Sequence, residues 1–210
     1  FGTFGSPYTR RVAITLKMYG IPYQQQSLTP FGEDKAKLRQ FNPLARVPVL
    51  QLDDDEYLSE SHLIIDYLDS LVEEEKRLIP PSGKDRRGIL NYAGVASGAT
   101  DKLVTTLYEY HFRPPEKVYK PWIKMCDQQV TDGFKWLDSK LTGEWFVGEQ
   151  ISHADIAVAV FWLFGRDKRR KFFDRMNCSA LQALSDRLVE LDAFKETPSE
   201  GGLPAGISLG

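Results

Sequence analysis

Phe4 to Val12, FGSPYTRRV, decides how the first half of the chain is read. Ser6 suits a helix N-cap and Pro7 the first helical position, while Val12, Leu16 and Tyr19 carry an apolar stripe to Gly20, a natural stop before Ile21-Pro22. With extended residues before it, this is a strand feeding a helix. Its centre, Ser6-Pro7-Tyr8-Thr9, has the outline of a Cys-X-X-Cys redox turn with hydroxyls in place of the sulfurs. Ser6 would lie beside unpaired N–H groups at the positive end of the helix dipole, a setting for an anion. Serine does not ionise usefully there, but it can donate a hydrogen bond to a thiolate that arrives with a ligand. Taken alone, a plain N-cap is the simpler reading. Thr9, a turn further in, is the second candidate donor.

Outward from this turn, the chain to about residue 80 reads strand, helix, strand, helix, hairpin, helix. Pro22 to Leu28 is extended, and Gly32 to Gln40 is partly helical. Val47 to Leu52 and Tyr57-Leu58 flank the acidic hairpin tip Asp53-Asp54-Asp55-Glu56. Ser61 reads as the cap of a helix carrying Leu63, Ile64, Tyr67 and Leu68. Residues 80–87 form a Pro/Ser/Gly linker between a first domain, 1–79, and an all-helical domain, 88–210. There Tyr92, Val95, Ala99, Leu103 and Leu107 keep helical spacing, as do Val130, Phe134, Leu137 and Leu141, and Leu181, Leu184, Leu188 and Leu191. Ile156 to Phe164 is apolar on every side and reads as the central helix. Ser152 and Asp155 open it as a Ser-x-x-Asp capping box, a structural role for both. The fold class is therefore α/β followed by an all-α bundle.

The formal net charge of −2, with 42% hydrophobic and 27% charged residues, argues for a globular chain without a nucleic-acid partner. Lys168-Arg169-Arg170-Lys171 reads as a solvated helix face or loop. Cys126 and Cys178 stand apart, without metal-ligand spacing, so neither a disulfide framework nor a metal site is expected. The apolar run 156–164 falls short of the roughly 18 residues of a membrane span. No signal peptide opens the chain, and a reducing cytoplasm is the expected compartment. Because Phe1 is not Met and sits in what reads as a strand, a few residues are expected to precede it in the natural product.

Two further motifs accompany Ser6. Val47-Pro48 lies between Asn42-Pro43-Leu44-Ala45-Arg46 and a strand, where thioredoxin-type proteins keep a cis-proline facing the redox turn. The main-chain groups of Val47 could then pair with an extended peptide, with Arg46 as a cation for a carboxylate. At Ser59-Glu60-Ser61-His62, the Ser61 hydroxyl and a helix start make an anion site, and Glu60 supplies a carboxylate for a cation. A zwitterionic amino-acid head needs both.

On these motifs, SPYTRRVAITL, NPLARVPVL and LSESHLIIDYL, together with the linker and ISHADIAVAV, the chain resembles a cytosolic glutathione transferase of the serine type. The resemblance implies a thioredoxin-like N-terminal domain that binds glutathione, with Ser6 stabilising its thiolate for attack on an electrophile. It also implies that Val47 pairs with the cysteinyl backbone, Arg46 lies near the glycine carboxylate, and Glu60 and Ser61 hold the γ-glutamyl head. Glutathione enters as co-substrate, no metal is needed, and detoxification by a homodimer is the expected setting. Asp101 is the residue that would approach the glutathione amino group across the dimer. The electrophile is expected between the domains, against Tyr8, Tyr108 and His111. The Ser-Pro-aromatic turn is similar to that of tau-type members, while FRPPEKVYKPW is closer to bacterial ones. Alternatives are a non-catalytic binder of glutathione or apolar ligands, or a glutathione-dependent isomerase or peroxidase. Thiol oxidoreduction is opposed by the missing turn cysteines.

Overall fold

The computed structural model describes residues 1–53 and 55–200. Asp54 of the expected hairpin tip and residues 201–210 of the expected helical domain lie outside the described residues. Among the described residues two units emerge, one of Phe1–Pro81 with residues 189–200, the other of Ser82–Leu188.

In the first unit, helix α1 (Pro7–Met18) starts as its local chemistry dictates, with Ser6 at the N-cap and Pro7 at the first position. It ends before Gly20, whose φ of +67° stops it. Helix α2 (Asp34–Phe41) follows, then strands β1 (Val49–Gln51) and β2 (Tyr57–Ser59) and helix α3 (Ser61–Ser70). The strands are antiparallel, pairing Val49 with Ser59, Leu50 with Leu58 and Gln51 with Tyr57. This is the expected hairpin.

The expected strands at the start of the chain and at 22–28 are not regular strands. Phe1 and Val49 exchange both main-chain hydrogen bonds, at 2.7 and 3.2 Å, and the Gly2 N–H donates to Gln26 at 2.9 Å. Pairing stops there because Ser6 N–H turns back to the Thr3 carbonyl, at 3.1 Å, and Gly5 N–H donates to the Glu200 carbonyl, at 2.7 Å. These bonds place extended chain on either side of Phe1-Gly2 without a ladder.

Glu200 belongs to a terminal segment that packs on α1 and carries helix α9 (Asp192–Lys195). Buried Arg10 donates from Nε to the Thr197 carbonyl at 2.8 Å, with its guanidinium 5.5 Å from the ring centre of buried Phe194. Lys17 pairs with Glu196. The segment from Val189, expected to close the helical domain, goes with the first unit because α1 offers it this arginine and an apolar face. Leu191 is consequently exposed, outside the helix that ends at Leu188.

The second unit contains α4 (Gly83–Phe112), α5 (Lys120–Lys140), α6 (His153–Lys168), α7 (Arg170–Asp174) and α8 (Ser179–Leu188). Helix α4 begins inside the expected linker, so Gly83 to Arg87 are helical. Ser82 stands at its N-cap and Asp85 in its first turn, where a carboxylate suits the dipole. The same residues in a Pro/Gly-rich run read equally well as loop.

Helix α6 is the centre, packed by α4, α7 and α8, with every residue from Ile156 to Phe161 buried. Phe134, Trp162 and Phe173 meet edge to face at 5.1–5.6 Å. Gly165 is required there, since a Cβ would come within 1.9 Å of the Phe173 ring. The basic run is expected to be a solvated helix face or loop; Arg169 does sit in the break between α6 and α7, but it is not solvated. Its side chain is 12% exposed, forms a forked ion pair with Asp127 of α5, and stacks 4.2 Å from the centre of Phe172. Among the described residues, no helix is long and apolar enough to cross a membrane.

Candidate functional site

Ser6 is half-buried and extended, with φ −80° and ψ 119°. Its hydroxyl accepts from Thr9 N–H at 3.4 Å, a long bond that leaves the hydroxyl hydrogen to serve another partner. No acidic side chain occupies the first turn of α1, so nothing within the turn offsets its positive end. Thr9 is placed differently. It is 4% exposed, with Oγ1 against Gly2, where an added Cβ would come within 2.5 Å of it. Ser6 is therefore the hydroxyl at the open head of the helix.

The Val47–Pro48 peptide is cis, as the loop sequence leads one to expect. Among the described residues, neither the N–H nor the C=O of Val47 has a main-chain partner. The loop before it is organised by Asn42, a residue the motifs of the sequence do not single out. Asn42 is 3% exposed, donates from Nδ2 to the Arg46 carbonyl at 3.0 Å, and accepts at Oδ1 from Leu44 N–H at 3.0 Å. Its signal is Asn-Pro turn chemistry, a side chain that bonds to its own neighbouring backbone.

Ser61 is not the cap of α3. Glu60 occupies the N-cap, where its carbonyl accepts from Leu63 and Ile64 at 3.0 and 3.1 Å. Glu60 holds φ +69°, a left-handed conformation that a non-glycine residue keeps only where its surroundings over-determine it. Ser61 is the first helical residue and 3% exposed. Its hydroxyl, expected at the backbone, instead accepts from Arg11 of α1, from Nε at 3.1 Å and from Nη2 at 2.6 Å. The first turn of α3 also lacks an acidic side chain.

Arg46 and Glu60 approach to 3.8 Å, with 56% and 42% of their side chains exposed. The structure thus brings together two groups expected at opposite ends of a bound peptide. An exposed pair of this kind contributes less than about 1 kcal/mol and gives way readily to a better partner.

Of the remaining candidates, Tyr8 is half-buried in the first turn of α1. Tyr108 and His111 lie near the end of α4, with Phe112 edge-on to both at 5.4 and 4.7 Å. Asp101 is exposed on α4. Ser152 and Asp155 form the capping box as read: Asp155 Oδ2 accepts from Ser152 N–H at 2.8 Å and from its hydroxyl at 2.7 Å. Asp155 Oδ1 additionally accepts from Phe146 N–H at 2.9 Å, tying the preceding loop to the helix. Burial pushes this carboxyl up from the usual range, and the hydrogen bonds pull it back down.

A cavity of about 780 Å³ in the first unit lies between the inner faces of α1 and α3 and the 21–26 and 48–53 segments. It excludes Ser6, Arg46, Glu60 and Ser61, so it is not this site.

Both cysteines are buried, and burial pushes their thiols up, that of Cys178 to about 12. We expect neither to react with a thiol-directed alkylating reagent in the native protein, and both to react on unfolding. Rapid native alkylation, read by intact mass, would contradict this. Among the described residues there is no cluster of three or more metal-ligating side chains.

Comparison with known proteins converges on one family. Residues 1–76 match the family model of the glutathione S-transferase N-terminal domain, and residues 100–192 that of the C-terminal domain. Glutathione S-transferase U8 of Arabidopsis thaliana is 27% identical over 166 residues, covering 77% of this chain and 70% of its own. An uncharacterized GST-like protein of Escherichia coli, YncG, is 27% identical over 193 residues, 87% of this chain and 88% of its own. Among solved structures, a glutathione transferase family member from Pseudomonas fluorescens Pf-5 with bound glutathione is 28% identical and superposes with a TM-score of 0.85, covering 96% of this chain and 98% of that one. A glutathione S-transferase from Methylobacillus flagellatus KT with GSH bound gives 0.87 at 25% identity, covering 94% and 97%.

Proposed function

The chain belongs to the glutathione S-transferase family, with a thioredoxin-like first unit and a helical second one, and from that premise we propose that it binds glutathione, ionises its thiol and directs the thiolate at an electrophilic carbon. The observation that carries this reading is Ser6, a hydroxyl donor at the open, acid-free head of α1. There the helix dipole and one hydrogen bond favour the charged sulfur over the thiol.

The rest of the first unit is suited to the peptide around that sulfur. The main-chain groups of Val47 pair with the cysteinyl residue as an added strand would. Glu60 takes the γ-glutamyl ammonium, and Ser61 with the head of α3 takes its carboxylate. Arg46 exchanges its weak pair with Glu60 for the glycine carboxylate. In the chemical step the sulfur lone pair forms the C–S bond while the electrophile's leaving group, or the electrons of its activated double bond, depart from the attacked carbon. The thiol proton has by then gone to solvent. Proximity and thiol ionisation supply the rate.

The test is a titration of thiolate absorbance for glutathione bound to the protein, alongside turnover of a panel of aryl halides and activated alkenes. A bound thiol that ionises below the free one, together with turnover, supports the enzyme. Glutathione bound with an unshifted thiol and no turnover makes the chain a binding protein of the same fold. We infer a homodimer as the working assembly, supported by the exposed apolar side chains Leu90 of α4 and Trp122 and Met125 of α5. Light scattering at micromolar concentration checks it, and a monomer there rules it out.

A further inference from the structure

A serine hydroxyl is aimed through one staggered torsion, so Ser6 points only as well as its main chain is held. Its capping bond, 3.4 Å from Thr9 N–H, is too long to fix that aim. Three main-chain bonds surround it: Ser6 N–H to the Thr3 carbonyl at 3.1 Å, Arg10 N–H to the Ser6 carbonyl at 2.9 Å, and Gly5 N–H to the Glu200 carbonyl at 2.7 Å. The first two are local to the turn. The third is the shortest, and it comes from the far end of the described chain.

Glu200 follows α9, whose four residues are too few to hold a helix by themselves. What the segment packs on therefore places it. The Lys17–Glu196 pair is partly exposed and contributes little. Arg10 is different: it is 7% exposed, its Nε donates to the Thr197 carbonyl at 2.8 Å, and its guanidinium lies 5.5 Å from the ring centre of Phe194. Thr197 and Phe194 are buried, so water does not take over either contact, and a charged donor makes the stronger kind of hydrogen bond. Arg10 thus holds the Ser6 carbonyl with its N–H and, with its side chain, the segment that holds Gly5.

We infer that Arg10 is a positioning residue for Ser6, fastening residues 194–200 to the turn so that the Ser6 hydroxyl stays aimed at the sulfur of bound glutathione. This role rests on the glutathione reading and deepens it. Arg10 acts through Ser6.

The experiment titrates thiolate absorbance of bound glutathione, and follows kcat with one aryl halide, in wild type, Arg10→Met, Ser6→Ala and the double variant. Arg10→Met should raise the pKa of the bound thiol by about one unit and lower kcat at neutral pH about 10-fold. In the Ser6→Ala background, where there is no hydroxyl to aim, adding Arg10→Met should move the thiol by less than about 0.3 units. Arg10→Lys, which restores a charged donor for the one carbonyl, should return kcat to within about 2-fold of wild type. Phe194→Leu, which keeps the core filled but withdraws the ring from the guanidinium, should lower kcat about 3-fold with the thiol moved the same way. It decides the matter if Arg10→Met does not fold.

An arginine that only anchored the segment would lower the unfolding midpoint and leave the bound thiol at its wild-type pKa. That result overturns the inference while leaving glutathione chemistry intact. An equal shift with and without the Ser6 hydroxyl also overturns it, because Arg10 would then act on the sulfur by its own charge. If the wild-type thiol is unshifted, or Ser6→Ala leaves it unmoved, the thiolate reading of Ser6 falls and this role with it.

Discussion

Replacing Ser6 by alanine is expected to lower kcat about 100-fold while KM for glutathione changes by less than about 3-fold. The asymmetry follows from what the hydroxyl does. It contacts the sulfur, whose charge matters to reaction, and leaves the γ-glutamyl and glycine ends to other groups. A 100-fold loss of thiolate stabilisation equals about two pKa units. The rising limb of the pH profile, which follows thiol ionisation, should therefore move about two units to higher pH. At pH above the shifted limb, much of the deficit should disappear. The fold should persist, because the cap bond lost is the long 3.4 Å contact to Thr9 N–H, and a capping serine is worth only about 0.5–2 kcal/mol even with good geometry. Thr9→Val should leave the limb in place, since Oγ1 of Thr9 lies against Gly2 rather than at the helix head. A limb unmoved in Ser6→Ala would take the thiolate role away from Ser6.

Asp155→Ala should cost about 3 kcal/mol or more in stability, lowering the unfolding midpoint by roughly 10 °C. The carboxylate accepts from three donors, Ser152 N–H, Ser152 O–H and Phe146 N–H. Ser152 and Phe146 are 4% and 8% exposed, so water does not take over these bonds. Each orphaned donor then bears most of its desolvation cost. Asp155→Asn should lose less, because one oxygen still accepts, but its NH2 would face a donor on the other side. Thermal and urea melts monitored by tryptophan fluorescence read both, and a midpoint within experimental error of wild type would show that the box is not a stability determinant.

The outcome at each position follows how far its partner lies along the chain. Ser6, Pro7 and Gly20 punctuate α1 through bonds spanning a few residues, as do Ser152 and Asp155 at α6, and all five are legible in the sequence. Ser82 and Asp85 read as linker, because a helix start and a polar loop use the same letters. Ser61 reads as a cap because serine outranks glutamate there, but its hydroxyl answers to Arg11, fifty residues earlier. That arginine carries one faint sign, a place on the same helix face as Ile14 and Thr15, both wholly buried. Arg10 gives even less, since its acceptor is the carbonyl of Thr197.

Sequence by itself determined the class of the fold, the order of most elements and the residue types at the site, because hydrophobic period, caps and turn chemistry are local and their energetics act within a turn or two of the chain. Only tertiary structure decided which hydroxyl faces outward, that Glu60 rather than Ser61 caps α3, that Arg46 meets Glu60, and that the segment after Val189 belongs with α1. The physical reason is that each depends on a partner far along the chain: Gly2 closes over Thr9, Arg11 takes the Ser61 hydroxyl, Glu60 meets Arg46, and Arg10, buried on α1, is stable only because the Thr197 carbonyl reaches it.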